Sequence, residues 1–563
     1  MKNLLLILLC WLCHGNALRA ENYPFITPQD TLKEDYDKRA ANTKNNKKDK
    51  NKSDPFSFGE KKKADKLYES FSYMAAADLY NKLVADGKLS TDVMRKLANS
   101  YRLNSESEDA EFWYAQYIQE TSDPNDYLYY AQALQSNDKC EDAIRWYRKY
   151  EEATDDPTRS YILDCTDLQT FKENKGVEFV NLQNLNHGSL DYAATPYANG
   201  IVFTSTRGLP SAFRLQDKWT QDNFADLFFA QKKDFGKYEE PIPLRGKLNK
   251  KFHDGVATFN SAQNVMIFSR NSESGKGKGG ILDLKLYEAR NPQQFWVDSR
   301  ENPIDLYLKT KMDGERSFWM EMGELDINGD DFSTCHPALS PDGKRLYFAS
   351  NRAGGYGGMD IWMSRNVDGT WQEPTNLGPI INSSGNELFP FMSKDEKLYY
   401  ASDGHLGLGG LDIFVGQKMR RTDENSWSIR ENLGTPFNTS KDDFGFTVNA
   451  EKTNGYFTSN RENGMGEDDI YEWRSDGLDL SEDEENRRIC VFDEETGDRV
   501  KGVTVTISPT DDTPTDDAVL TLKPLEDSEN EYVLSVKGKN EIEEEVLTTN
   551  RRGIVRYRIA KGQ

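Results

Sequence analysis

A unit of short apolar runs and turns that recurs through the second half of the chain constrains its fold more than any other feature. In the clearest copy, His336 to Met363, Ser340-Pro341-Asp342-Gly343 supplies turn residues, with Pro presetting φ and Gly free to take positive φ. Leu346-Tyr347-Phe348-Ala349 and Asp360-Ile361-Trp362-Met363 are runs of strand length, and the glycines from Gly354 to Gly358 make the bend between them. Asn386 to Val415 and Asp442 to Trp473 repeat this order, and weaker copies run from Tyr192 to Ala230 and from His253 to Tyr287. Marker aspartates at the last strand of each copy, Asp226, Asp283, Asp360, Asp412 and Asp469, recur at about 50 to 80 residues, which suits propeller blades with variable loops. They read as acceptors for backbone N–H groups at the blade turns. A linking strand repeats as well, with Trp319, Trp371 and Trp427 ahead of Gly323-Glu324-Leu325, Asn376-Leu377-Gly378 and Asn432-Leu433-Gly434. The expected element is a β-propeller over residues 177–474, of five or six blades, with Val177 to Leu182 closing the ring against the C-terminal end. An insertion between Ala289 and Phe318 reads as a hairpin extension.

A second repeat precedes the first. Ala64, Ala98 and Ala131 are separated by 34 and 33 positions, and so are Ala76, Ala110 and Ala143. Leu67, Tyr101 and Leu134 keep step with the first set, and Tyr80, Tyr114 and Tyr147 with the second. A small residue lets paired helices approach while the large one fills the space against the next pair, the logic of a helical solenoid. These residues resemble tetratricopeptide repeats, expected over residues 57–171 as three units and a closing helix. Cys140 opens one helix and Cys165 lies late in the next, so antiparallel packing would bring them together as a disulfide; two separate thiols are the alternative.

The ends differ in character. Lys2, the apolar run Leu4 to Cys13, and small residues at Ala17 and Ala20 form a signal peptide over residues 1–20, too short to span a bilayer. Leu9 and Leu12 precede the two cysteines where lipid attachment wants a small residue, which speaks against a lipoprotein. Residues 21–56, crowded with Lys and Asn from Lys38 to Lys52, read as a disordered basic linker. After an acidic linker at 475–487, the strands and turns of 488–563 resemble the carboxypeptidase regulatory-like β-sandwich, ending earlier than such a domain usually does. The expected fold class is therefore multidomain, α plus all-β: solenoid, propeller and sandwich.

Little chemistry is legible. A net charge of −23 excludes nucleic acid as a general partner. His253 and His336 are read as occupying one repeat position, shared with Asn386 and Asp442, while His405 lies in a Gly-rich blade loop. Neither a His-Glu-x-x-His nor a Gly-x-Ser-x-Gly motif occurs. Gly354–Gly358 and Gly407–Gly410 lack the helix and lysine of a phosphate cradle. Asp326 to Asp331 carries its Gly at the fourth place of a calcium-type loop instead of the sixth. Ser364 to Trp371 is a near miss to the aspartate-box turn of sialidases. No catalytic residue, metal ligand or cofactor is expected.

Signal peptide, tetratricopeptide-like helices, SPDGKRLYFASNR-type TolB/WD-like blades and regulatory-like strands, in this order, resemble a Bacteroidota periplasmic envelope family. Its members usually end in an OmpA-like peptidoglycan-binding domain and serve type IX secretion or gliding machinery. The resemblance implies a periplasmic scaffold docked to outer-membrane or periplasmic proteins. No OmpA-like segment is present, so peptidoglycan would be a partner only of a longer form. Two functions follow: a non-catalytic adaptor and not an enzyme, or a glycan-binding or glycan-processing propeller at the cell surface. Paired carboxylates facing a central pocket would favour the second, and a closed propeller axis the first.

Overall fold

The computed structural model describes residues 57–154, 176–208, 217–244, 248–272, 282–291, 319–418, 427 and 431–475, and the backbone of six strands between 487 and 557. Six helices open it: α1 Ser57–Glu69, α2 Tyr73–Ala85, α3 Thr91–Arg102, α4 Ser107–Tyr117, α5 Pro124–Ser136 and α6 Cys140–Thr154. Local signals set their starts. The Ser90 side chain accepts from the Val93 N–H ahead of α3, and Asp123 accepts from Asn125 N–H with Pro124 in the first turn of α5. All six repeated alanines are buried, as are Tyr80, Tyr114 and Tyr147. Each of these tyrosines donates its hydroxyl to the first helix of its pair: to Asp65 at 2.7 Å, to Asn99 at 2.8 Å and to Gln135 at 2.6 Å. The expected closing helix and Cys165 lie outside the described residues; Cys140 is disulfide-bonded. No described helix is long and apolar enough to cross a membrane.

The blades number five. Their innermost strands are Asp191–Tyr197, Asp254–Phe259, Thr334–Leu339, Glu387–Met392 and Asp443–Val448. Each continues outward through two longer antiparallel strands to a short outer one. The fifth blade takes its outer strand from the other end of the propeller: Glu178–Asn181 pairs antiparallel with Asp469–Arg474. Ring closure is thus where the apolar run at Val177 placed it. Ser and marker Asp are cross-strand partners in four blades: Ser205 with Asp226, Ser350 with Asp360, Ser402 with Asp412, and Ser459 with Asp469.

The glycine-rich bends follow from those aspartates. Asp360 accepts backbone N–H bonds from Tyr356 at 2.6 Å and Gly357 at 3.2 Å, and Asp469 accepts from Met465 and Gly466. The chain wraps so tightly that a Cβ at Gly407 would stand 1.7 Å from the Asp412 carboxylate. Only glycine fits there.

Beyond residue 486 the strands Thr504–Pro509, Val519–Pro524, Glu531–Lys537 and Glu545–Thr548 form one sheet, in which the first and third run parallel. Arg487–Cys490 pairs with Ile554–Tyr557. A separate β-sandwich is not evident among the described residues, which corrects the expected C-terminal domain.

Candidate functional site at the propeller hub

Each blade is tied to its neighbour by a device that hydrophobic patterning does not reveal. An asparagine in the loop before the inner strand uses its amide to bridge both backbone groups of one residue in the third strand of the preceding blade. Asn186 does this to Ile470, Asn249 to Leu227, Asn328 to Leu286, Asn382 to Ile361 and Asn438 to Ile413, all at 2.7–3.0 Å. Asn186 closes the ring by joining the first blade to the fifth.

The residue before each asparagine exposes its carbonyl to a second device. Arg207 donates to Leu185 O and to Asp191, Arg270 to Leu248 O and Asp254, and Arg461 to Phe437 O and Asp443. Arg352 reaches Ile327 O at 3.0 Å and Thr334 Oγ1 at 3.2 Å. In the fourth blade His405 takes this place, its Nε2 2.6 Å from Ile381 O and 3.8 Å from Glu387. His405 is therefore an architectural group. The sequence signal was present, since an apolar-Asn pair precedes an acid by five residues at Asn186, Asn249, Asn382 and Asn438.

Closer to the axis, every inner strand carries a bulge whose third residue has positive φ: Ala193, Val256, His336, Phe389 and Gly445. His336 thus shares its position with these residues and not with His253, which corrects the sequence alignment. The bulge N–H of Ala193, Val256 and His336 donates to Thr458, Thr204 and Ser269 in the neighbouring blade at 2.8–3.0 Å. Phe389 meets Ala349 at the corresponding place, and its N–H turns instead to His336 Nδ1 at 3.4 Å. The His336 ring stacks on Phe389 at 3.8 Å, and Phe389 packs on Phe444 at 4.5 Å and Tyr192 at 6.3 Å. These rings plug the axis. Burial holds the His336 imidazole neutral, pushed down to about 3, and raises the Cys335 thiol to about 12, so neither acts as base or nucleophile near neutral pH.

The two ends of the plug differ. Away from the helices lies a cavity of about 260 Å³ lined by Ala193 to Pro196, Val256 to Ser261, Pro337 to Pro341 and Phe389 to Met392. Thr195 and Ser261 spend their hydroxyls on Ala257 O and Pro341 O. On the helix side, carboxyls from three blades come within electrostatic reach of one another: Asp403 from the fourth, Asp442, Glu467 and Asp468 from the fifth, and Asp222 and the Arg207-paired Asp191 from the first. Asp403 accepts from Asn386 N–H and side-chain amide at 2.6 and 2.9 Å, and Asp442 from Leu411 N–H at 2.8 Å. Burial, then the charges of Asp442, Glu467, Asp469 and Asp191, push Asp468 up to about 8. It is therefore mostly protonated at neutral pH. Burial, and then the nearby charge of Asp468, raise the phenol of Tyr192 in the plug. The described residues contain no group of three or more ligands placed to hold a metal ion. Sequence reading placed Asp442 at a repeat position but gathered none of these acids into one site, because they come from loops of different blades.

The fold and hub together define a five-bladed propeller with an aromatic plug beneath an acidic vestibule. Neither a protein-family model nor a curated protein matches the chain. Among solved structures it is similar to a family 117 glycoside hydrolase produced by the marine bacterium Zobellia galactanivorans, at 14% identity and a TM-score of 0.33, over 55% of this chain and 92% of that one. An α-L-arabinofuranosidase from Lactobacillus brevis is similar at 11% identity and a TM-score of 0.31, over 57% and 97%. TolB from Acinetobacter baumannii is similar at 15% identity and a TM-score of 0.27, over 55% of this chain and 65% of TolB. The expectation of a non-catalytic scaffold that is not an enzyme is corrected on the hub itself, which holds buried carboxyl groups, Asp468 among them, that the sequence reading did not assemble.

Proposed function

We propose that the chain is a glycan-binding or glycan-processing propeller acting at the cell surface, with the acidic vestibule as its site. The observation that carries this reading is Asp468, a carboxyl kept protonated at neutral pH beside Asp442. A proton donor next to a second carboxyl is the pairing that glycosidic-bond cleavage uses. The plug supplies an aromatic floor at Tyr192, a surface on which the apolar face of a sugar ring rests. A periplasmic or outer-membrane location is part of the proposal and rests on the signal-peptide pattern of residues 1–20. The helical repeats would present their outer faces to envelope proteins there.

The test is a panel of cell-wall and algal polysaccharides assayed for binding by calorimetry and for release of reducing ends. At least one should bind, and Asp468→Asn should lower turnover on it by about 10²-fold or more while leaving affinity within a few-fold. Loss of no activity in Asp468→Asn would remove the catalytic form of the reading. Failure of every glycan to bind would remove the reading altogether.

A further inference from the structure

The helices grip one side of the propeller rim. The Trp219 ring, from the first blade, meets Tyr73 edge-on at 4.7 Å, and its Nε1 donates to Leu103 O at 3.2 Å. Ser105 Oγ donates to Asp442 of the fifth blade and Gln135 Nε2 to Gly407 O of the fourth, both at 2.9 Å. These rim residues lie in two kinds of loop, one leading into the inner strand and one joining the second strand to the third. In the second and third blades, and at their seam with the first, the same loops carry aromatic side chains. Phe224 precedes Asp226, Phe252 and His253 precede Asp254, Phe332 precedes Thr334, and Tyr356 stands in the glycine-rich bend ahead of Asp360.

The rings of this arc are fixed in place. Phe224 meets Phe252 edge-on at 5.4 Å and His253 at 4.8 Å, and His253 Nδ1 accepts from Ala225 N–H at 3.1 Å. Phe332 lies against the Arg352 guanidinium at 4.6 Å, and a Cβ at Gly329 would stand 2.3 Å from its ring, so the glycine makes room for it. Tyr356 is 52% exposed, with its backbone N–H fastened to Asp360 at 2.6 Å. Two residues on, Gly358 N–H donates to Gly385 O at 2.7 Å. Asn386, next in that loop, donates its side-chain amide to Asp403 of the vestibule at 2.9 Å. A single loop therefore separates the exposed tyrosine from the hub acids.

We propose that this arc is a sugar-binding shelf, with Tyr356 its outermost platform, along which a neutral glycan chain reaches the acidic vestibule; it rests on the glycan reading of the hub. Tyrosine offers an apolar ring face and a polar edge at little conformational cost, and rings already held in position need no ordering when a sugar arrives. Charge selects the class of chain. The hub acids lie at the inner end of the shelf, and exposed Asp326, Asp330 and Asp331 lie in the loop before Phe332. The nearby cations are engaged: Arg352 on Ile327 O and Thr334, and Lys251 over the Phe252 ring at 5.0 Å. Uronate and sulfated chains meet like charge there, and uncharged ones do not.

Calorimetry and turnover of the full chain test the shelf, with neutral oligosaccharides of glucose, xylose and mannose set against oligogalacturonate and sulfated galactan oligosaccharides. A neutral chain should bind, and the anionic ones should bind about 10-fold or more weakly. Tyr356→Ala should weaken binding and raise KM about 5-fold or more with kcat unchanged. Tyr356→Trp should keep wild-type affinity, and Phe332→Ala should weaken binding in the same sense as Tyr356→Ala. A bound glycan held with wild-type affinity by both Tyr356→Ala and Phe332→Ala would overturn the shelf while leaving the hub reading in place. Anionic chains bound as tightly as neutral ones would overturn the assigned class, and failure of every glycan to bind would overturn shelf and hub reading together.

Discussion

The helical repeats and the propeller blades solve one problem, holding successive copies in register, by opposite means. Between helices the fit is steric, with alanines at Ala64, Ala98 and Ala131 letting the axes close and large rings filling the next layer. Between blades it is polar. Buried asparagines clamp the neighbouring strand's backbone, and arginines such as Arg270, 2% exposed, pair with acids such as Asp254, 0% exposed. A steric fit tolerates loss at one repeat because only neighbours feel it. A closed ring has no end at which a broken clamp can be absorbed.

The sharpest way to break the contrast is Arg270→Met, which strands Asp254 in the interior. Burial already raises that carboxyl to about 6 despite the arginine. The expected loss is about 3–5 kcal/mol, read in the near-ultraviolet melting of the blades; a loss near zero would mean the pair contributes nothing to closure. Next comes Asn382→Leu, nearly the same in shape, which leaves the Ile361 N–H buried without its partner and the Ile361 C=O with only the 3.2 Å bond from Leu377 N–H. About 2–4 kcal/mol is expected, and denaturant titration measures it. Ala98→Leu should cost the helices about 1–3 kcal/mol by overpacking. That effect belongs in the helical signal alone, and an equal shift in the blades would show that the two bodies unfold as one.

The gentlest change sharpens the comparison through pH. Asp468 has a folded value of about 8 against roughly 3.9 when unfolded. Its contribution to stability is complete below the unfolded value and disappears as pH rises through the folded one. Asp468→Asn should therefore flatten the decline in blade melting temperature between about pH 5 and pH 8 and leave the helical transition unmoved. A separate check concerns Cys140, whose partner we take to be Cys165. Peptide mapping without reduction should recover the two linked, and recovery of Cys165 as a free thiol would reject that pairing.

The steric repeat was legible along the chain because its information is local: size recurs at a fixed interval, and burial of Ala76, Ala110 and Ala143 follows directly. Blade strands were legible for the same reason, as was ring closure by the strand after Val177. The asparagine clamps were written in the sequence as apolar-Asn pairs, yet their meaning lies in bonds to strands about 20 to 280 residues away. His336 and His405 were misplaced or left unexplained because each substitutes for a missing group, a hydroxyl opposite Ala349 and an arginine after Ser402.

Composition and periodicity determined the kinds of element, their order and the repeat lengths, since those depend on which side chains prefer water and how often they recur. The number of blades, the identity of the hub acids and the seating of the helices on the rim were decided by closure. Closing a ring brings five distant loops to one point, and a carboxyl such as Asp468 acquires its chemistry only from the neighbours it meets there.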